Sequence, residues 1–179
     1  MERRVRTRLV AVGAAVGVVV ALGVVWFQPW RLWVDETVRE ALPAVAATAS
    51  GEPAAAGSPA PGPRTVAQGT LISHEHATTG TAKIIRLGDG SHTLRIEGLD
   101  TSSGPDLRVW LTDAPVRKGT AGWRVFDDGK YVSLGKLKGN KGDQNYALPA
   151  GVQWSTYTSV SIWCDRFDVS FGAAELTRV

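Results

Sequence analysis

Cysteine is almost absent from this chain, since Cys164 is the only one in 179 residues. A lone cysteine cannot form an internal disulfide, so the fold must be stabilised by a hydrophobic core. Histidine is scarce as well, with three residues, which limits the possible metal ligands. The sequence also lacks a Ser/His/Asp nucleophile signature and the HExxH zinc motif. These absences argue against a hydrolase, and we expect the protein not to be an enzyme.

Positive and negative charges balance over most of the chain. The first eight residues, MERRVRTR, contain four arginines and one glutamate, which together account for the formal net charge of +3. The remaining residues are therefore neutral overall. A nucleic-acid-binding domain needs a basic face on its folded part, so we expect no nucleic-acid partner.

A long uncharged stretch follows the basic cluster. The range Leu9–Phe27 contains no charged residue, and about 20 apolar residues are enough to cross the hydrocarbon core as a helix. Trp26, Trp30 and Trp33 follow at its far end, where aromatic rings favour the membrane interface. We therefore predict a transmembrane helix with an interfacial segment over residues 9–33.

The basic cluster sets the predicted orientation of this helix. Residues 1–8 are expected in the cytoplasm, because arginines beside a membrane segment tend to stay inside. The rest of the chain is then extracytoplasmic, and the protein is a single-pass protein of the cell membrane. The alternative is a cleaved signal peptide, whose apolar region has about 7–15 residues and is followed closely by small residues. Here the apolar run is longer and the bulky segment QPWRLWVDE follows.

Residues 34–65 are predicted to connect the membrane segment to a folded domain. Val34, Val38 and Leu42 are spaced four residues apart, which predicts a short juxtamembrane helix. The stretch Ala47–Arg64 is rich in alanine, proline and glycine and has no bulky apolar residue. Such a composition is typical of a flexible linker.

Residues 66–179 consist of short alternating runs separated by turns. For example, LRVWLTD places Leu107, Val109 and Leu111 on one strand face, and GDGS is a hairpin signal. Short strands at this spacing predict an all-β domain, an antiparallel β-sandwich or a barrel-like fold.

Four stretches of this β domain resemble the DM13 domain family, which is described as an electron-transfer family. They are SHEHATTGTAKI, TSSGPDLRVWLT, YVSLGKLKGNKGDQNYALP and SVSIWCDRFDVSFGAAEL. The anchor followed by FQPWRLWVDETVREALP also resembles membrane-attached DM13 proteins of actinobacteria. The resemblance implies a β-sandwich-like fold, an extracytoplasmic location and a redox role centred on Cys164. Because the chain carries no DOMON domain, with which the family is often paired, its electron partner would be another extracytoplasmic protein.

Cys164 lies in an apolar strand segment in which the alternation of inward-facing and outward-facing residues shifts by one position. A bulge between Cys164 and Phe167 would let two triplets point inward, namely Val160, Ile162 and Cys164, and Phe167, Val169 and Phe171. The cysteine can be a buried core side chain, a redox or ligand-binding residue, or one half of an intermolecular disulfide. A reactive thiolate needs nearby positive charge, which Arg166 offers and Asp165 and Asp168 oppose.

The sequence SHEH is a weak candidate for metal binding. His74 and His76 are two residues apart, so on a strand they face the same way and could bind copper, zinc or haem iron. Only Cys164 and His92 could complete such a site, so the cofactor stays open, with haem or copper possible. The alternative is a pair of surface histidines on an edge strand.

The second hypothesis for function is a non-redox protein- or glycan-interaction module of the cell envelope. In that case Trp110, Trp123 and Trp154 would be exposed partner contacts. The redox hypothesis needs a partly accessible thiol, whereas the interaction hypothesis needs an exposed aromatic patch.

Overall fold

The computed structural model of the chain describes residues 2–28, 30, 34–43 and 62–179. The chain divides into two compact units, Met1–Val34 and Asp35–Val179. Most of the predicted linker, up to Pro61, lies outside the described residues, as does Trp33 of the predicted interfacial segment.

Helix α1 spans Glu2–Phe27, and its side chains are described from Val12 to Trp26. Among the described residues, no helix is long and apolar enough to cross a membrane. The predicted transmembrane helix is therefore not supported.

The second unit contains eleven strands, all in the described part of the chain. They are β1 Thr37–Arg39, β2 Arg64–Thr70, β3 Ile72–Ser73, β4 Thr79–Arg86, β5 His92–Asp100, β6 Leu107–Thr112, β7 Tyr131–Lys136, β8 Lys141–Ala147, β9 Ser159–Cys164, β10 Val169–Glu175 and β11 Thr177–Arg178. Short 3₁₀ turns occur at Gly119–Gly122 and Trp154–Thr156. The predicted all-β character is confirmed.

The strands form two sheets around one apolar core. The first sheet has the order β1-β8-β5-β4-β2-β11 and the second β3-β10-β9-β6-β7. Both contribute fully buried side chains to a shared core, including Ile84 and Leu94 from the first and Val109 and Ile162 from the second. Two separate sheets facing one core correspond to the expected sandwich arrangement, and no closed barrel forms among the described strands.

The predicted juxtamembrane helix over 34–43 is wrong. Its middle is strand β1, which pairs in parallel with β8 at the edge of the first sheet. Polar contacts hold it there: Asn140 Oδ1 accepts from the backbone N–H of Glu36 at 2.7 Å, and Lys138 Nζ donates to Glu40 at 2.7 Å. These non-local partners override the weak four-residue periodicity.

Gly142, within the sequence GNKGDQ, allows β1 to pair with β8. Gly142 adopts φ +94, and a Cβ there would collide with the carbonyl oxygen of Val38 in β1. Glycine is therefore required twice over, because it permits the left-handed backbone and leaves room for the neighbouring strand. Gly142 is the second residue of β8, which begins at Lys141.

The segment around Cys164 is a hairpin rather than a bulged strand. Strand β9 ends at Cys164, residues 165–168 form the turn, and β10 begins with Val169 directly opposite Cys164. Asp168 takes φ 49 to close the turn. The irregularity of the pair lies between Ser170 and Gly172, so the bulge predicted between Cys164 and Phe167 is wrong in position.

The docking of β1 leads to a first testable prediction. Gly142→Ala should destabilise the β unit by about 1–3 kcal/mol, because it adds both backbone strain and a clash with β1. Gly151→Ala is the matched control, since Gly151 has φ +87 and open space around its Cα. Urea unfolding measures both variants, and an equal loss in the two would show that contact with β1 contributes nothing.

Candidate functional site

Cys164 occupies the end of a central strand and is fully enclosed. Its neighbours across the sheet are Leu107 on β6 and Val169 on β10. The side chain has 0% exposure and belongs to the main core, together with Phe171. The partly accessible thiol that the redox hypothesis required is therefore not present in the folded domain.

Two opposing influences act on the sulfur. Burial raises the pKa of the Cys164 thiol and is the dominant cause, because the charged thiolate loses its hydration. Hydrogen bonding from the backbone N–H groups of Arg166, Phe167 and Asp106 works in the opposite direction and lowers that pKa, while the charge of Glu75 raises it. The net result is a thiol whose pKa lies above its ordinary value, so the sulfur stays protonated near neutral pH.

An ion-pair cluster lies beside Cys164, and no local pattern in the sequence predicts it. Arg108 on β6 lies 3.1 Å from Asp165 (Nε to Oδ2) and 3.4 Å from Asp106 (Nη2 to Oδ2). The backbone N–H of Asp165 also donates to the Asp106 carbonyl oxygen at 3.0 Å. The cluster thus joins the β9–β10 turn to the residue before β6, and backbone N–H groups of these two segments lower the pKa of the Cys164 thiol. Arg166, expected to favour a thiolate through its charge, contributes through its backbone instead.

His74 is a buried structural residue rather than a metal ligand. Its Nδ1 lies 2.8 Å from the Ser170 hydroxyl, and its Nε2 lies 3.0 Å from the Arg117 carbonyl oxygen. Because a carbonyl oxygen only accepts, Nε2 carries the hydrogen and Nδ1 accepts from Ser170. Neither ring nitrogen is left for a metal.

The surroundings of His76 do not support metal binding by the two histidines either. Its ring stacks on Phe171 with centroids 3.9 Å apart, and its Nε2 lies 3.9 Å from Glu75 Oε2. The described residues contain no group of three or more His, Cys, Asp or Glu side chains that could hold a metal ion. The donor set therefore does not fit haem or copper.

The three tryptophans proposed as partner contacts do not form an exposed patch. Trp110 is 3% exposed, and Trp123 and Trp154 are half-buried and pack against the main core. Arg178 and His92 further cover Trp154. The interaction hypothesis therefore lacks the aromatic surface that it required.

Trp110 instead belongs to a cluster on the outer face of the second sheet. It stacks on Tyr131 with centroids 4.0 Å apart and on Trp163 with centroids 4.9 Å apart. Phe126, from the long loop between β6 and β7, meets Trp163 edge-on. Strand alternation in LRVWLTD did place Trp110 opposite the core face, but the partners come from distant strands and could not be read locally.

The burial of His74 produces a pH dependence of stability. Burial lowers its pKa in the folded domain, so below the unfolded value near 6.5 the unfolded chain binds more protons. The free energy of unfolding should therefore fall as the pH drops from 7.5 to 5, by at most about 1.4 kcal/mol per pH unit for this one proton.

His74→Gln should flatten that slope in urea titrations at several pH values, although it lowers stability at pH 7.5. His92, whose pKa is also lowered, first by burial and then by the charge of Arg86, supplies the control. In His92→Gln, the fall in unfolding free energy that His74 causes between pH 7.5 and 5 should remain. A slope unchanged in His74→Gln would contradict the assignment.

Comparison with known proteins places this arrangement in a family. A family model described as electron transfer DM13 matches residues 70–176, which include β3 to β10 and the surroundings of Cys164. No curated protein and no solved structure matches the chain. Since the family model covers more than half of the chain, this protein belongs to the DM13 family of electron-transfer domains.

Proposed function

We propose that the β unit is an electron-transfer module whose redox chemistry depends on Cys164. Family membership supports electron transfer. The role of Cys164 is supported by its place within the family match and by the backbone N–H groups of Arg166, Phe167 and Asp106, which lower the pKa of its thiol against the larger, raising effect of burial. An ordinary core cysteine needs no such donors, because a neutral thiol is a weak acceptor.

The protonated state of the thiol restricts the chemistry. A buried thiol with a raised pKa is neither a ready nucleophile nor a ready metal ligand, so its electron must leave together with its proton. Glu75 is exposed and its charge acts on the sulfur, which makes its carboxylate the proton acceptor in this proposal.

The step can be written with its atoms and electrons balanced. The S–H bond of Cys164 breaks and the proton passes to the Glu75 carboxylate and then to water. One electron passes to an oxidised metal centre on a partner protein outside the cytoplasm, leaving a thiyl radical. A one-electron donor and the returning proton restore the thiol. The partner is a separate protein, because the described residues offer no metal cluster of their own.

The test compares electron exchange in the full chain with that in two variants. Protein-film voltammetry should give a reversible one-electron signal for the wild type. Cys164→Ser and Cys164→Ala should abolish it while circular dichroism shows an intact β fold. A signal of equal size in both variants would remove Cys164 from the chemistry and leave it as a core side chain.

We also propose that the module is attached through α1 to the outer side of the cell membrane. Support comes from the arginines before the apolar run and from the exposed apolar side chains of α1, which include Val12, Val19 and Leu22. Exposed apolar surface of this extent favours contact with lipid or with another apolar partner.

Fractionation of cells expressing the full chain tests this attachment. The protein should stay in the membrane pellet after carbonate washing, and protease added to intact spheroplasts should release the β unit. Release by carbonate, or protection from the external protease, would contradict the proposed location.

A further inference from the structure

Three aromatic rings form a continuous stack across the second sheet. Trp110 lies on β6, between Tyr131 of β7 and Trp163 of β9. The ring planes of Trp110 and Tyr131 differ by 8° and those of Trp110 and Trp163 by 23°. The strand register explains the contact, because Arg108 lies opposite Trp163 and Thr112 opposite Tyr131, which sets both partners on diagonals from Trp110.

The two inner rings of this stack are buried, and the outer ring is exposed. Trp163 is 1% exposed, Trp110 is 3% exposed and Tyr131 is 45% exposed. The inner end is covered by Ala114 and Phe126 of the loop between β6 and β7. The stack thus leads from solvent into the domain, and its inner residue immediately precedes Cys164 in β9.

The indole N–H of Trp110 has an unusual environment. Its Nε1 is buried and finds no hydrogen-bond acceptor among the described residues. Buried tryptophan N–H groups usually have a partner. A Trp110 ring that loses an electron therefore has no acceptor for its proton and stays a radical cation, which an electron alone restores. The phenol of Tyr131, by contrast, can release its proton to solvent.

We propose that Tyr131, Trp110 and Trp163 are a one-electron relay between the protein surface and Cys164, with Tyr131 as the surface terminal. The proposal rests on the electron-transfer function and specifies where electrons enter. Stacked rings in van der Waals contact divide one long electron transfer into short steps. Trp163, the inner ring, is joined to Cys164 by a single peptide bond.

Each step of the relay balances. When the Cys164 thiyl radical forms, Trp163 gives it one electron and the proton returns through Glu75, so the S–H bond is restored. Trp110 then reduces the Trp163 radical cation, and Tyr131 reduces the Trp110 radical cation while its phenolic proton passes to water. A one-electron donor of the metal-centre or quinol class, with one proton from water, reduces the tyrosyl radical at the surface.

In the experiment, light oxidises the tryptophan rings, so that buried rings are reached without a chemical oxidant having to enter the domain. An ultraviolet laser pulse photoionises tryptophan in the full chain, and hexaamminecobalt(III) takes up the ejected electron and becomes Co(II), which does not oxidise the protein. Transient absorption then follows the tryptophan radical and the tyrosyl radical. In the wild type the first should decay as the second grows, with one rate constant that does not depend on protein concentration.

Tyr131→Phe keeps the ring of the stack but removes the phenol. It should abolish this tyrosyl growth and lengthen the tryptophan radical lifetime by about tenfold. Tyr157→Phe is the matched control, because Tyr157 is half-buried and lies outside the stack; it should behave as the wild type. Tyrosyl growth that persists in Tyr131→Phe, or that is lost equally in Tyr157→Phe, would overturn the relay.

Cys164→Ser separates this inference from the proposed function. The variant should still transfer the radical from tryptophan to Tyr131, because the stack lies on the opposite face of β9 from the sulfur. If that transfer fails in Tyr131→Phe only, electron transfer along the aromatic stack to Tyr131 stands; where voltammetry also removes the role of Cys164, the connection of the stack to the sulfur is overturned. If the wild type shows no transfer, the relay is wrong even where the voltammetric signal of Cys164 survives.

Discussion

The burial of strand β9 on both faces is the constraint on which the rest of the structure depends. All six of its residues are buried: one face packs into the core between the sheets, and the other lies beneath the loop that carries Phe126. Water is excluded from both sides, so Cys164 stays protonated and Trp163 is held in the aromatic stack. The same desolvation therefore sets the acid–base state of the sulfur and the geometry of the rings beside it.

This constraint changes what a lone cysteine can do. Thiolate chemistry, disulfide exchange and metal ligation all require a sulfur that is charged or accessible, and Cys164 is neither in the folded domain. Proton-coupled electron exchange requires neither, provided that a proton acceptor and a path for the electron are present. In the proposed mechanism the carboxylate of Glu75 accepts the proton, and the stack of Tyr131, Trp110 and Trp163 carries the electron.

The sequence was informative where a residue's role depends on its own strand, and it failed where the role depends on a distant one. Alternation in LRVWLTD correctly put Val109 inside and Trp110 outside, and the family could be identified from four local stretches. The β1 strand was missed because its parallel pairing is decided by Gly142 and Asn140, about a hundred residues away. His74 looked like a ligand because its acceptor and donor, Arg117 and Ser170, belong to other elements.

The proposed mechanism requires that the electron of Cys164 leave together with a proton. The most direct measurement is the midpoint potential of the full chain as a function of pH between 5 and 8. The potential should fall by about 59 mV per pH unit, as expected for one electron coupled to one proton. A potential that does not change with pH, or the same pH-dependent signal in Cys164→Ser, would contradict it.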